Sequence, residues 1–223
     1  MKLTAIVTCH ESDPNPVVRM LKAQTRPPDE ILLETSGECE PLTEDVNFHV
    51  HAHDEKDYGY RKRNRMALRA SGEWLGFFCH DESYHPRYIE LMLRKAETKP
   101  EADVVYCAWS YDPSCTFRPA ESSLGNFFIK TRVFTKAGGF EIAEEPGMCD
   151  ALLIYKLAFE MGVKSVKEPA TLYYHNVPFE PTIVPTNWGQ PVRVVTNDYK
   201  FWTTVTDMQI PDDPLDKEGT DVV

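Results

Sequence analysis

Apolar and polar positions alternate along the chain in blocks that predict short buried strands separated by amphipathic helices. Leu3 to Thr8 is β-rich and almost wholly apolar, a first buried strand, and the polar turn Cys9 to Asn15 follows it. Asn15 as N-cap, Pro16 at the first helical position and Val17, Met20 and Leu21 on one face predict a helix that Arg26-Pro27-Pro28 stops. Glu30 to Glu34 reads as a second strand with a small polar exit, Thr35-Ser36-Gly37. From Val46 to His53, Val46, Phe48, Val50 and Ala52 alternate with Asn47, His49, His51 and His53, the period of a half-buried strand. A short basic helix, about Arg61 to Ala70, breaks at Gly72, and the apolar run Trp74 to Phe78 suits a buried strand that ends in Cys79-His80-Asp81-Glu82. Pro86 starts a helix with the stripe Ile89, Met92, Leu93 and Ala96. Ala102 to Trp109 and Phe127 to Ile129 read as strands, and Lys136 to Phe140 as a turn. Asp150 opens a helix whose Ile154, Leu157, Ala158 and Met161 share a face before Gly162, and Leu172-Tyr173-Tyr174 is strand-like.

This alternation predicts an α/β fold with a mostly parallel sheet, whose ligands sit outside the carboxyl ends of the strands. Four polar clusters fall at such ends: Thr8-Cys9-His10, Glu34-Thr35-Ser36, His80-Asp81-Glu82 and Asp150. At 223 residues with 42% hydrophobic positions the chain supports one sizeable core. We expect one domain over residues 1–177. Residues 178–223 carry Pro178, Pro181, Pro185, Pro191, Pro211 and Pro214 and an acidic end, the composition of an extended arm disordered beyond about Asp212.

A formal charge of −11 argues against a nonspecific grip on nucleic acid or an anionic membrane. The basic helix is the single exception, with Arg61, Arg65 and Arg69 spaced to share a face; Lys62 and Arg69 read as solvated surface. Six cysteines without a Cys-x-x-Cys pair indicate reduced thiols, hence a cytoplasmic protein. The apolar start is too short for a signal peptide and no later run is long enough to span a bilayer, so a soluble protein without membrane insertion is expected. His49, His51 and His53 are spread too far along one strand to converge on zinc unaided. Cys9-His10 and Cys79-His80 are strand neighbours that point apart, which disfavours a cysteine nucleophile.

Taken in order, Thr4-Ala5-Ile6-Val7-Thr8-Cys9-His10, Gln24-Thr25, Pro28-Asp29-Glu30-Ile31, Arg63-Asn64 with Gly72-Glu73, Asp81 with His85-Pro86, Gly138-Gly139-Phe140-Glu141 and Asp150 resemble the family 2 glycosyltransferases of the GT-A fold. The resemblance covers roughly Met1 to His175. It implies a three-layer sandwich with a Rossmann-like nucleotide-binding half. It also implies transfer of a sugar, with inversion, from a nucleoside diphosphate donor, taken here as UDP-linked, to a hydroxyl of a carbohydrate or other acceptor. Mg²⁺ or Mn²⁺ would bridge the diphosphate, a hard cation that suits oxygen ligands. Asp81 matches the metal-binding carboxylate of the family's Asp-x-Asp, with Cys79 where the first Asp stands and His80 between them. Thr8, His10, Glu34, Arg63, Asn64 and His80 fall on the donor side, Glu34 toward the nucleobase. His175 matches a position near the metal or diphosphate, and Asp150 the general base. Asn126, Trp109 and Trp188 are assigned to the acceptor side, with Trp188 in a C-terminal lid.

Two other readings stand beside this one. Cys79 is a poorer acceptor for ribose hydroxyls than a carboxylate, which allows a non-catalytic nucleotide-sugar-binding or interaction protein on a degenerate scaffold. The basic helix allows transfer onto a modified base in DNA, which the overall charge disfavours.

Overall fold

The structure, a computed structural model, describes residues 1–51, 57–110, 127–142, 149–174, 193–196 and 206–209. Strands β1 (Leu3–His10), β2 (Glu30–Ser36), β3 (Asn47–His51), β4 (Trp74–Cys79), β5 (Ser83–Tyr84), β6 (Val104–Ser110), β7 (Phe127–Lys130) and β8 (Ser165–Tyr174) form one sheet in the order β3-β2-β1-β4-β7-β6-β8-β5. β1 pairs in parallel with β2 and β4, β2 with β3, and β6 with β8; β7 runs antiparallel to both neighbours, as β5 does to β8. The chain goes outward from β1 to β3 and returns to β4 on the other side of β1. That reversal opens a crevice at the carboxyl ends of β1 and β4.

Helices cover both faces. α1 (Asn15–Lys22) and α3 (Tyr88–Thr98) pack on one core with Leu3, Ala5 and Val7 of β1, Leu33 of β2 and Trp74 and Phe78 of β4. α2 (Tyr60–Ala67), α4 (Thr131–Ala137) and α5 (Cys149–Tyr155) pack on the other with Ile6, Leu32, Leu75 and Phe77. Successive strand residues thus feed opposite cores, as period two requires of a sheet buried on both faces. Aromatic rings knit each layer. Phe77 lies 5.1 Å from Phe140 and 5.3 Å from Phe134 on one side, and Phe78 lies 4.9 Å from Tyr84 on the other. Such pairs add about 0.5–1.5 kcal/mol each beyond burial.

Several boundaries differ from the sequence expectation. Asn15 is the first helical residue of α1 and not its cap. Asp13 accepts from the Asn15 N–H at 2.8 Å, while the Asn15 amide holds the following loop through Pro41 O at 3.0 Å and the Thr43 N–H at 2.8 Å. α3 starts at Tyr88 because the residues before it form β5 against β8. Gln24, at the end of α1, donates to His85 O at 2.9 Å and accepts from Ile89 N–H at 3.2 Å, tying the two helices of that layer together. α4 was not expected, and β8 is longer than its apolar end implied. The helix opened at Asp150 continues as a π-helical turn, Lys156–Glu160. Within the arm, β9 (Arg193–Thr196) and β10 (Thr206–Gln209) form an antiparallel pair. His53 lies outside the described residues.

Gly72 lets the α2–β4 connection touch β1. Its N–H donates to Thr4 Oγ1 at 2.9 Å, and a Cβ there would meet the Thr4 backbone nitrogen at 2.5 Å. Gly72→Ala is expected to cost about 1–3 kcal/mol, the usual penalty of overpacking, read as a lower urea midpoint at unchanged m-value.

Candidate active site

Strand parity and register build the floor of the crevice. On β1, Thr8 and His10 share the α2 face with Ile6; on β2, Glu34 and Ser36 share it with Leu32; on β4, Cys79 shares it with Leu75 and Phe77. Thr8 is in register with Glu34 on one side and Cys79 on the other, and His10 with Ser36. The result is a polar row, Glu34–Thr8–Cys79, with Ser36 and His10 one step further toward the strand ends.

Helix α2 and its N-cap Gly59 roof this row, with two residues over β2 and one each over β1 and β4. Arg65 forms an ion pair with Glu34, whose side chain is 2% exposed. Lys62 donates to Ser36 Oγ at 2.8 Å, and Ser36 Oγ lies 3.0 Å from His10 Nδ1. Gly59, at φ 79°, sits over Thr8, where a Cβ would come within 3.3 Å of the Thr8 side chain. Arg63 donates to Tyr58 O at 2.5 Å and to Cys79 Sγ at 3.4 Å, with its guanidinium 5.1 Å from the Tyr60 ring centre. Asp57 secures the start of α2 by accepting from the Gly59 and Arg61 N–H groups at 2.9 and 2.8 Å.

Lys62 was expected in solvent and is 2% exposed. A usable signal exists: Lys62 lies four residues before Met66 and so falls on the apolar, sheet-facing side of the helix. The shared basic face is also not a free cationic stripe, since Arg61 lies 3.7 Å from Asp57 and Arg65 is bound to Glu34.

Electrostatics divide the row into a neutralised and an unneutralised end. Burial pushes the Cys79 thiol up to about 11, against the pull of Arg63, so Arg63 faces a neutral sulfur at physiological pH. Arg63 is 4% exposed, and its buried Nε has no hydrogen-bond partner among the described residues. Asp150, in the first turn of α5, accepts from the Ala151 N–H at 2.8 Å. Burial raises its pKa above the ordinary aspartate value, while backbone N–H groups and Arg63 pull it back. The same carboxylate helps raise the Tyr60 phenol, after burial. Asp150 is therefore within electrostatic reach of Arg63 and Tyr60.

Asp81 is exposed just past the end of β4, with His80 half-buried and Glu82 buried. Among the described residues no three His, Cys, Asp or Glu side chains converge on a point. An exposed carboxylate such as Asp81 is the kind of hard oxygen ligand that Mg²⁺ or Mn²⁺ takes. Asn64, expected on the donor, uses both ends of its amide on Phe140, donating to its carbonyl and accepting from its N–H at 2.8 Å each. Glu34, expected at the nucleobase, is held by Arg65. Trp109, expected on the acceptor side, is 6% exposed and packs in the core near Tyr173. His175, Asn126 and Trp188 lie outside the described residues.

The sequence profile described as Glycosyl transferase family 2 matches residues 5–152, and the chain belongs to that family. No curated protein matches it in sequence. Among solved structures, S. aureus TarS 1-349 in complex with UDP-GlcNAc is similar with a TM-score of 0.55 at 14% identity, over 81% of this chain and 59% of that one. A further S. aureus TarS structure gives 0.53 at 15% identity, over 81% of this chain and 37% of that one. Glucosyl-3-phosphoglycerate synthase from Mycobacterium tuberculosis in complex with phosphoglyceric acid gives 0.51 at 13% identity, over 79% and 73%. These likenesses show a shared fold, the GT-A type with its curled, mostly parallel sheet. The chain spans 37% and 59% of the two TarS chains. No helix among the described residues is long and apolar enough to cross a membrane.

Asn64→Ala would leave the Phe140 N–H and carbonyl without their partner between α2 and the Gly139 turn. A stability loss of about 1–3 kcal/mol is expected in chemical denaturation.

Proposed function

We propose that this chain is a glycosyltransferase that moves a sugar from a nucleoside diphosphate donor to an acceptor hydroxyl with inversion. The observation that carries the reading is the buried Arg63 guanidinium at the β1–β4 crevice, donating to a neutral thiol, with Asp150 within its electrostatic reach and Asp81 exposed past the end of β4. A buried cation whose hydrogen bonds go to a backbone carbonyl and a neutral thiol suits an anionic ligand, and a diphosphate answers it. Binding of UDP and UDP-GlcNAc by TarS, on the same fold, supports a UDP-linked donor.

In this reading Arg63 holds the diphosphate, and Thr8 and Gly59 let the nucleotide approach β1 closely. Asp150 accepts the proton of the acceptor hydroxyl as its oxygen bonds to the anomeric carbon. The bond from that carbon to the diphosphate oxygen breaks, and the leaving group departs with the electron pair. Attack opposite the leaving group inverts the anomeric centre. A divalent cation held by Asp81 and the donor's phosphates would neutralise charge on the leaving group. Tyr60 keeps Arg63 in place by stacking beneath it.

Cys79 favours a second reading. A neutral thiol stands where the resemblance has a carboxylate, so a nucleotide-sugar binder without transfer is the competing outcome. The two separate in one experiment: calorimetry with UDP, with and without Mn²⁺, followed by hydrolysis of UDP-sugars. Metal-dependent binding with hydrolysis or transfer supports the enzyme, and binding without either supports the binder. Asp81→Asn is expected to remove the metal-dependent part of the affinity.

The base assignment makes its own prediction. Asp150 acts deprotonated, and burial raises its pKa, so the rate should fall as pH is lowered through a value above that of an ordinary aspartate. Asp150→Asn should lower kcat by about 10²-fold or more with UDP affinity retained, and abolish that acid limb. Full transfer by the variant would sink the assignment.

A further inference from the structure

We infer that Cys9 and Cys39 form a reversible oxidation site, at which hydrogen peroxide converts two touching thiols into a disulfide that staples the end of β1 to the turn after β2. The inference stands apart from the donor reading. Parallel pairing sets Cys9 opposite Thr35 and His10 opposite Ser36, so the turns that leave β1 and β2 run side by side. They are clasped together. The Glu11 N–H donates to Ser36 O at 3.0 Å, and the Glu11 side chain lies over Gly37, where a Cβ would meet Glu11 Cγ at 2.4 Å.

The two cysteines sit on either side of this clasp. Cys9 faces the α1 side of the sheet with Val7, away from Thr8 and His10, and Cys39 packs against the same core. Cys9 Sγ donates to Ser12 O at 3.6 Å and Cys39 Sγ to Ser36 O at 3.5 Å, each within its own turn, and the two thiols are in hydrogen-bonding contact with each other. The segment after Cys39 is held in place by the Asn15 amide through Pro41 O and the Thr43 N–H. Sulfurs that already touch on anchored turns need little backbone movement to bond.

The pair is unequal, which orders the chemistry. Cys9 is 2% exposed, and burial, followed by the neighbouring Cys39, pushes its thiol up to about 12, so it stays protonated. Cys39 is half-buried and meets the oxidant first. Its thiolate sulfur attacks one peroxide oxygen, the O–O bond breaks, and the departing hydroxide takes up a proton to leave as water. The Cys9 sulfur then attacks the sulfur of the resulting sulfenic acid, the S–O bond breaks, and the Cys9 proton leaves with the hydroxide as a second water. Two thiols are oxidised by two electrons and one peroxide is reduced to two waters. Exchange with a reducing thiol pool reverses the bond. Cys107 and Cys149 are buried from the oxidant, and Cys79 is engaged by Arg63, so the reaction is selective among the described thiols.

The disulfide closes the part of the chain that carries α1 and β2, which constrains the unfolded chain more than the folded one. The test treats the folded full chain with hydrogen peroxide, blocks the remaining thiols by alkylation, and reads intact and peptide masses. The expected result is loss of the mass of two hydrogen atoms, a cross-linked peptide that contains Cys9 and Cys39, full reversal by dithiothreitol, and a higher urea midpoint for the oxidised form. Cys39→Ser should abolish the link and leave Cys9 a free thiol after the same treatment. Unchanged mass, Cys39 carrying two or three added oxygens beside a free Cys9, or a link through another cysteine overturns the inference. A lower urea midpoint of the oxidised form overturns it as well, since the bond would then form at the expense of the fold. The mass readout does not depend on whether the chain binds a nucleotide.

Discussion

The structure depends on the packing of helix α2 against the carboxyl ends of three strands in parallel register. Parallel pairing of β2, β1 and β4 sets Glu34, Thr8 and Cys79 side by side on one face, with Ser36 and His10 beside them. A row of polar side chains on a sheet buried on both faces is costly unless each finds a partner. α2 supplies those partners one at a time: Arg65 to Glu34, Gly59 over Thr8, Arg63 to Cys79 and Lys62 to Ser36. The same contacts that let the helix pack also decide which charges remain for a ligand.

Those charges are unevenly distributed. At β2, Arg65 and Glu34 cancel. At β4, Cys79 is a neutral thiol, so the Arg63 guanidinium keeps its full charge in a place largely removed from water. A carboxylate in place of Cys79 would form an ion pair there and weaken the pull on an incoming anion. The residue that sets this chain apart from the resemblance thereby leaves the guanidinium hydrogen-bonded to a neutral sulfur, with Asp81 exposed to solvent past the end of β4.

Family membership and the shared GT-A fold agree with this arrangement, although identities of 13–15% to the solved structures mean that the fold is what those likenesses carry. The case for chemistry comes from the site: an acid of raised pKa on α5, a buried guanidinium on α2, and an exposed carboxylate after β4. Arg63 and Asp150 are far apart in sequence and come within electrostatic reach because α5 packs on the same side of the sheet as α2.

By itself the sequence determined the alternation of strands and helices, the two-sided burial of β1, β2 and β4, and the strand-end positions of Thr8, His10, Glu34 and Asp81, since period and turn chemistry are local properties. The family order of motifs was legible for the same reason. Short elements without a strong period escaped: α4, β5 and the first half of β8 are held by partners distant in sequence. Side-chain roles escaped where two elements had to meet. Trp109 faced the core because of what packs on β6, Asn64 was drawn to Phe140, and Lys62, a residue that composition sends to solvent, was buried by its position above Met66 against β2. Inter-strand register and helix placement are not encoded in any one stretch, so only the tertiary structure showed that the basic helix in front of β4 is the roof of the candidate site.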